Sequence, residues 1–274
     1  MKQIISIFIF TIITFYTNAQ ISIQQIGSTE IIDVLSIQNA NPTFRNMANI
    51  QQLGNNNTAS INQSATNEFA DPNQAQLFQD GSQNMADITQ KGGNNQLLTY
   101  QLGYLSTKFD QSNTVPVLET LTSYFPLINY VFGDLSTAEN NTVICSQEGS
   151  SNGLLTLQVG TDNYISATQT GQNNYLVATQ IGQSNHLVDF KQENQSSSEF
   201  LLESVTQLGR NNLIEFSGTI NGQIYGNSYA QSGDNLAIKL NTSLISSIGG
   251  MNITQTGHDM NVVIDQSYFS FPMK

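Results

Sequence analysis

The chain has 274 residues, of which 38% are apolar and only 10% charged, and it carries a net charge of −12. That length holds one or two ordinary domains or one long repeat array, and an acidic chain with 8 Lys and Arg lacks the basic face that nucleic-acid binding needs. Asn and Gln together number 61, a bias that marks a low-complexity tail when scattered and an ordered stack when it falls in phase.

Residues 1–19 open with Lys2, continue through an apolar run from Ile4 to Tyr16, and end in Thr17-Asn18-Ala19 before Gln20. A positive start, a short apolar run and a small residue at the boundary read as a secretory signal peptide. The run is shorter than the ~20 residues that span a bilayer. Residues 20–45 form an N-terminal segment with a degraded repeat. Gln25-Ile26-Gly27 opens a turn, Glu30 stands where an Asn is expected, Ser36 stands where the next Gln falls, and Pro42 belongs in a turn.

From residue 46 to 103 the repeat is clear. Asn46, Ala48, Ile50 and Gln52 share one parity, as do Asn57, Ala59, Ile61 and Gln63, and then Asn84, Ala86, Ile88 and Gln90. Gln79, Gln90 and Gln101 run in phase, Asn95 follows Gln90 by five places, and Gly54, Gly81, Gly92 and Gly103 each follow a Gln by two. Residues 64–73 interrupt the pattern as a loop, and Asp80 and Lys91 fall in turns, where charges slow premature association. Residues 104–146 leave the pattern: Pro116 and Pro126 argue against a central strand, while Val117 to Val131 is strongly apolar, so this segment reads as a loop or short helix folded over one side, or as a contact surface. Cys145 reads as a small packed hydrophobe.

Residues 147–192 hold the most regular copies. Gln147, Gln158, Gln169 and Gln180 recur every eleven residues, followed by Gly149, Gly160, Gly171 and Gly182 and by Asn152, Asn163, Asn174 and Asn185. Lys191 then takes the position of the next Gln, and Asp189 shares the inward parity, which a dry core disfavours. A register shift is therefore expected there, turning His186, Val188, Phe190 and Gln192 inward. Residues 193–274 hold divergent copies and a C-terminal cap. Gln207, Gly209 and Asn212 restart the unit, with Ile214 and Phe216 inward and Gly218 in place of Gln. Gln231-Ser232-Gly233 has its Asn one place early, at Asn235. Gln255, Gly257 and Gln266 close the series, with Met260, Val262 and Ile264 inward, and the aromatic stretch from Tyr268 to Lys274 is expected to cap the last coil.

Between Asn and Gln the unit alternates with a period of two, which is a strand signal. Gly reaches the positive φ of a tight reversal. The unit therefore reads as strand, turn, strand, turn. One strand of about six residues spans only about 20 Å and cannot bury its own inner face. Two units closed into a coil of about 22 residues can stack on the next coil, with Gln over Gln and Asn over Asn, each amide both donating and accepting. The expected fold is all-β: a β-solenoid of parallel stacked strand-turn-strand coils, cross-β in character, with irregular insertions.

The Q-x-G-x-x-N turn and the strand N-x-A-x-I-x-Q, as in Asn57, Ala59, Ile61, Gln63 and again in Asn84, Ala86, Ile88, Gln90, resemble the curlin repeat of curli subunits. The resemblance covers roughly two-thirds of the mature chain. It implies a secreted fibre subunit at the bacterial cell surface, contributing to adhesion and biofilm matrix. It also implies partners of the same type, a curli-type secretion machinery and an export-targeting segment within residues 20–41. It leaves open whether the subunit is the major one or a minor, nucleating one.

No enzyme chemistry is expected. Gly149-Ser150-Ser151-Asn152-Gly153 matches the nucleophile-elbow string, but the same residues are the repeat's turn, and no helix follows. His186 and His258 lack ligand spacing, and the turn carboxylates Asp162, Asp234 and Asp259 recur too irregularly for calcium, so no metal, cofactor or small-molecule substrate is expected. A monomeric solenoid that binds a sugar, ice or a host surface through a flat face is the alternative. Its outward row would repeat one residue type, whereas Tyr164, Ser166, Thr168, Tyr175, Val177 and Thr179 are mixed.

Overall fold

The structure, a computed structural model, describes residues 20–28, 31–37, 46–64, 72–102, 139–195, 200–221, 227–245 and 251–266. In residues 20–37, and at 219–221, 242–245 and 265–266, it describes the backbone only. The expected signal peptide, the body of the 104–146 insertion and the expected C-terminal cap lie outside the described residues.

The described chain is all-β. The first coils are β1 (Gln20–Ser28) with β2 (Ile31–Ile37), β3 (Met47–Asn55) with β4 (Thr58–Ser64), and β5 (Gln74–Ser82) with β6 (Met85–Gly93). Next come β7 (Gln96–Leu102) with β8 (Thr142–Ser150), β9 (Gly153–Thr161) with β10 (Tyr164–Gln172), and β11 (Asn174–Gln183) with β12 (His186–Asn194). The last are β13 (Leu201–Arg210) with β14 (Leu213–Asn221), β15 (Asn227–Asp234) with β16 (Ala237–Ile245), and β17 (Asn252–His258) with β18 (Asn261–Gln266). Odd strands form one nine-stranded parallel sheet, here sheet A, and even strands form a second, sheet B. Each coil gives one strand to each sheet, which is the β-solenoid the repeat implies.

Register follows from the turns. Gln147 and Gln169 stack 22 residues apart, as do Gln158 and Gln180. Gln52 and Gln79 stack 27 apart, five more than the 22-residue coil, and Gln90 and Gln147 stack 57 apart, 35 more. The additional residues all fall between strands, so the stack passes them without a break.

Side chains alternate along each strand, and the inward set forms one core between the sheets: Ala48, Ile50, Ala86, Ile88, Leu154, Ile165, Leu176 and Ile238 are all buried. A buried Leu or Ile contributes about 1.5–3 kcal/mol, so the short apolar stretch of each coil is stabilised only once neighbours cover it. Cys145 lies in this core, opposite Ile88 and Ala167, and burial pushes its thiol well above the usual range, with the Asp87 charge adding to the effect.

A second buried apolar cluster was not expected. Leu98, Leu155, Leu157, Val159, Val177 and Ile181 have outward parity on sheet A, yet each is almost wholly buried. The signal lay in Leu154-Leu155-Thr156-Leu157, an apolar run where a one-sided strand would alternate.

Four expectations need correction. The insertion ends earlier than residue 146: Glu139 already bridges Ser82 and Thr161, and β8 begins at Thr142. At β12 a bulge does occur, but at Asp189, whose φ is +53°. Leu187, Phe190 and Gln192 face inward, whereas His186 is exposed and Val188 is only half-buried. The Asn185 turn keeps its phase, so the next residue must point out, and parity is reset only past Val188. Gly218 pairs with Thr242, and it is Ile220 that stands opposite Gln192. Finally, Asn235 is not an early column residue. It takes the left-handed turn position (φ +58°), and Leu236 occupies the buried place behind it.

Candidate functional site

The site is the set of amide columns running along the stack. In sheet A, Gln52, Gln79, Gln101, Gln158, Gln180, Gln207, Gln231 and Gln255 form one column, and each Nε2 donates to the next Oε1 at 2.6–3.0 Å. In sheet B, Gln63, Gln90, Gln147, Gln169 and Gln192 form a second column with spacings of 2.8–2.9 Å. All of these side chains are buried. The second Nε2 hydrogen crosses to the opposite sheet: Gln158 donates to the Thr142 carbonyl at 3.0 Å and Gln169 to the Gly153 carbonyl at 2.9 Å. Each glutamine therefore ties its coil to the next and its two sheets to each other.

The asparagines hold the corners. Asn57, Asn84, Asn141, Asn163, Asn185 and Asn212 line one corner, and Asn46, Asn73, Asn95, Asn152 and Asn174 line the other. Asn163 is typical. Its backbone N–H and Nδ2 donate to Asn141 Oδ1 at 3.1 and 3.0 Å, and Nδ2 also reaches the Gly182 carbonyl of the following coil at 3.1 Å. The close stacking of the turns explains the glycine. At Gly182 (φ +126°) a Cβ would lie 1.9 Å from the Gly209 oxygen, so no other residue fits there. Gly54, Gly81, Gly92, Gly149, Gly160, Gly171, Gly209 and Gly257 share the positive φ.

The columns contain residues that the spacing alone did not single out. Asn73 and Asn141 follow the loop and the insertion, which hide their phase, although each precedes a Gln by six places, as Asn57 does. Gln192 is displaced by the bulge, and it is still in register with Gln169. Gln266 does not join a glutamine column, because its backbone pairs with Thr242. The residue before most column asparagines was also missed. Asn56, Gln83, Asn94, Ser151, Asp162, Asn173 and Ser184 all adopt left-handed φ of 54–58°, which Asn and Asp tolerate best. Ser151 and Asn152 of the elbow-like string are thus a turn residue and a column residue.

At the C-terminal end of the described stack the sheet A column stops at Gln255. β17 and β18 are hydrogen-bonded on one side only, as are β1 and β2, among the described residues. Among the described residues no glutamine follows Gln255 in this column, and its amide reaches the Ala237 and Met260 carbonyls at 3.1 and 3.4 Å. Met251, Ile253 and Ile264, inward by parity, are only partly covered. Charged pairs sit outside, on the surface. Arg210 bridges to Asp234 at 3.0 Å, and this hydrogen bond holds the Asp234 carboxyl below its usual range. Lys239 bridges to Glu215 at 2.8 Å.

No family model matches the chain, and neither a curated protein nor a solved structure matches it.

Proposed function

We propose that this protein is a secreted structural subunit of an extracellular, curli-like amyloid fibre. Subunits add coil upon coil at the open sheet edges, and the fibre serves cell adhesion and biofilm matrix. One observation carries the reading: the sheet A column runs without interruption from Gln52 to Gln255 and ends beside a strand edge that pairs with no further strand among the described residues, over half-covered apolar residues. An incoming coil would offer Gln255 an acceptor, pair the β17 backbone and cover Met251 and Ile253. The N-terminal apolar run and the resemblance to curlin repeats support export through a curli-type machinery.

The test is an assembly time course of the mature chain, with and without preformed seeds, followed by fibre diffraction. The expected result is dye-binding fibres with a reflection near ~4.8 Å and a lag that seeds abolish. A stable, dye-negative monomer at high concentration overturns the proposal.

A specific observation favours a second reading, a minor or nucleating subunit, or a monomeric solenoid adhesin. The sheet B arm lengthens toward the C-terminus. Tyr164 to Gln169 spans five steps, His186 to Gln192 six, Leu213 to Ile220 seven and Ala237 to Ile245 eight, all between matched register positions. The C-terminal end therefore does not repeat the N-terminal end, and uniform head-to-tail stacking of copies is disfavoured. Seeds of this chain that shorten the lag of a regular-repeat subunit, but not its own, would decide for the nucleator.

A further inference from the structure

Glu203 lies where no charge is expected. Register places it in the inward column Leu154–Leu176–Glu203–Asn227 of sheet A. It is 0% exposed. Asn227 Nδ2 donates to its Oε1 at 2.8 Å, and its Oε2 has no partner. The Tyr229 hydroxyl is also buried without a partner. The inward residues of β11 are Asn174, Leu176, Ala178 and Gln180; those of β15 are Asn227, Tyr229 and Gln231. Across the core, β12 presents Leu187, Phe190 and Gln192, and β14 presents Ile214 and Phe216. Tyr229 is the one titratable group among them, and none is charged. The side-chain and backbone N–H groups of the one residue Asn227 cannot replace the water that an ionised carboxylate holds, and Oε2 is left bare, whereas the neutral acid needs far less.

We propose that Glu203 is a proton-operated latch of the C-terminal coils, which close fully around its neutral acid and loosen when the carboxyl ionises. The direction follows from linkage. Burial raises the folded-state pKa well above the ordinary 4.5, while the side-chain and backbone hydrogen bonds from Asn227 oppose this only in part. The folded state therefore keeps its proton over an interval in which the unfolded chain has released it. Stability from this group is complete below about pH 4.5 and is lost as pH rises toward the folded-state value. The latch depends on the packed coils alone, so it is testable on soluble chain and fibre alike.

The experiment compares the mature wild-type chain with Glu203→Gln, which keeps the shape and removes the titration. Denaturant midpoints at pH 4 and pH 8 and amide exchange across β13–β17 are the readouts. The expected result is closely similar midpoints at pH 4 and a lower wild-type midpoint at pH 8. Amide exchange in β13–β17 of wild type at pH 8 should be at least about tenfold faster than in the variant, since one unit of pKa shift is tenfold in population; β8–β10 should not differ. A wild-type-to-variant difference that is the same at both pH values overturns the proposal. Should Glu203→Gln fail to fold, carboxyl spectroscopy of the wild type decides: a protonated carboxyl persisting at pH 6 supports the latch, and its absence refutes it.

Discussion

Replacing Gln169 by Ala tests the amide columns directly. Gln169 accepts from Gln147 at 2.8 Å and donates to Gln192 Oε1 and to the Gly153 carbonyl, each at 2.9 Å. Truncation strands one hydrogen of Gln147 and leaves Gln192 Oε1 without its donor, both in a site shut off from water. Each stranded buried group costs about 1–3 kcal/mol, so the change should cost about 2–6 kcal/mol before any cavity term. Gln158→Ala should cost less. The Gln101 amide above it also reaches the Met85 and Asn141 carbonyls at 2.9 Å, so its two hydrogens keep acceptors and only Gln180 Oε1 is stranded. That leaves about 1–3 kcal/mol from hydrogen bonding. The assay is the denaturant midpoint of each variant, with exposed Gln183→Ala as a control expected to stay within about 0.5 kcal/mol. A cycle adding Gln147→Ala should be strongly non-additive, because the second truncation removes the group that the first one stranded. If Gln169→Ala matches the Gln183 control, the columns do not hold the stack together and the reasoning fails.

Other changes follow from the same geometry. Gly182→Ala places a Cβ against the Gly209 carbonyl in a backbone conformation that L residues avoid; a loss of about 1–3 kcal/mol from strain alone is expected, read as a lower midpoint and slower assembly. Excising residues 104–138 joins Gly103 to Glu139 and yields Gln101-Leu102-Gly103-Glu139-Asn140-Asn141, an uninterrupted turn unit; the far-UV sheet signal should persist, and its collapse would show that the stack needs the insertion. Cys145, 2% exposed and held as the thiol by burial, should resist thiol reagents until the chain is denatured, so prompt labelling would place it outside the core.

The solenoid and its turns were legible because the same physical demand recurs in every coil. The glycine must leave room for the next carbonyl, and the inward Gln and Asn must find amides above and below, so spacing alone reveals them. What was not legible depends on neighbours in space. Asn141 looks like part of an irregular insertion until Gln101 and Gln158 are seen to stack across it. Leu236 fills an asparagine place because its backbone N–H can still donate to Asn212 Oδ1 at 3.1 Å, while the side chain joins the core. Glu203 shares the inward parity of Gln207, as Leu176 does of Gln180, so its place was readable from the repeat; the Asn227 donor that accommodates it was not, because residue 227 is brought to it only by the stacking. The bulge at Asp189 was legible as a conflict of parity, but not its position, which the Asn185 turn sets.

The sheet B column ends beside a change in the core. Up to β10 the inward positions of that sheet carry Ala and Ile, such as Ala86, Ile88, Ile165 and Ala167. In β12 and β14 they carry Phe190 and Phe216, which meet edge-to-face at 4.7 Å, and Phe216 meets Tyr229 of sheet A at 5.3 Å. Aromatic rings of this size need more depth between the sheets than Ala does. Each added bulge residue lengthens the sheet B arm of its coil by one step, at β12 and β14 where the rings lie and once more at β16, whose inward Ile238 and Leu240 are aliphatic. The glutamine column survives the first added step, since Gln169 still donates to Gln192 Oε1 at 2.9 Å, and it stops where the matched register position no longer holds a glutamine. Gln192 is the last that still reaches, and Ile220 and Ile245 take the register beyond it. Sheet A keeps its column through Gln255 because its strands stay in step, β13 with β15 and β15 with β17. The stack thus exchanges amide registry for aromatic packing on one side only, and the uninterrupted side is the one along which a further coil can add in register.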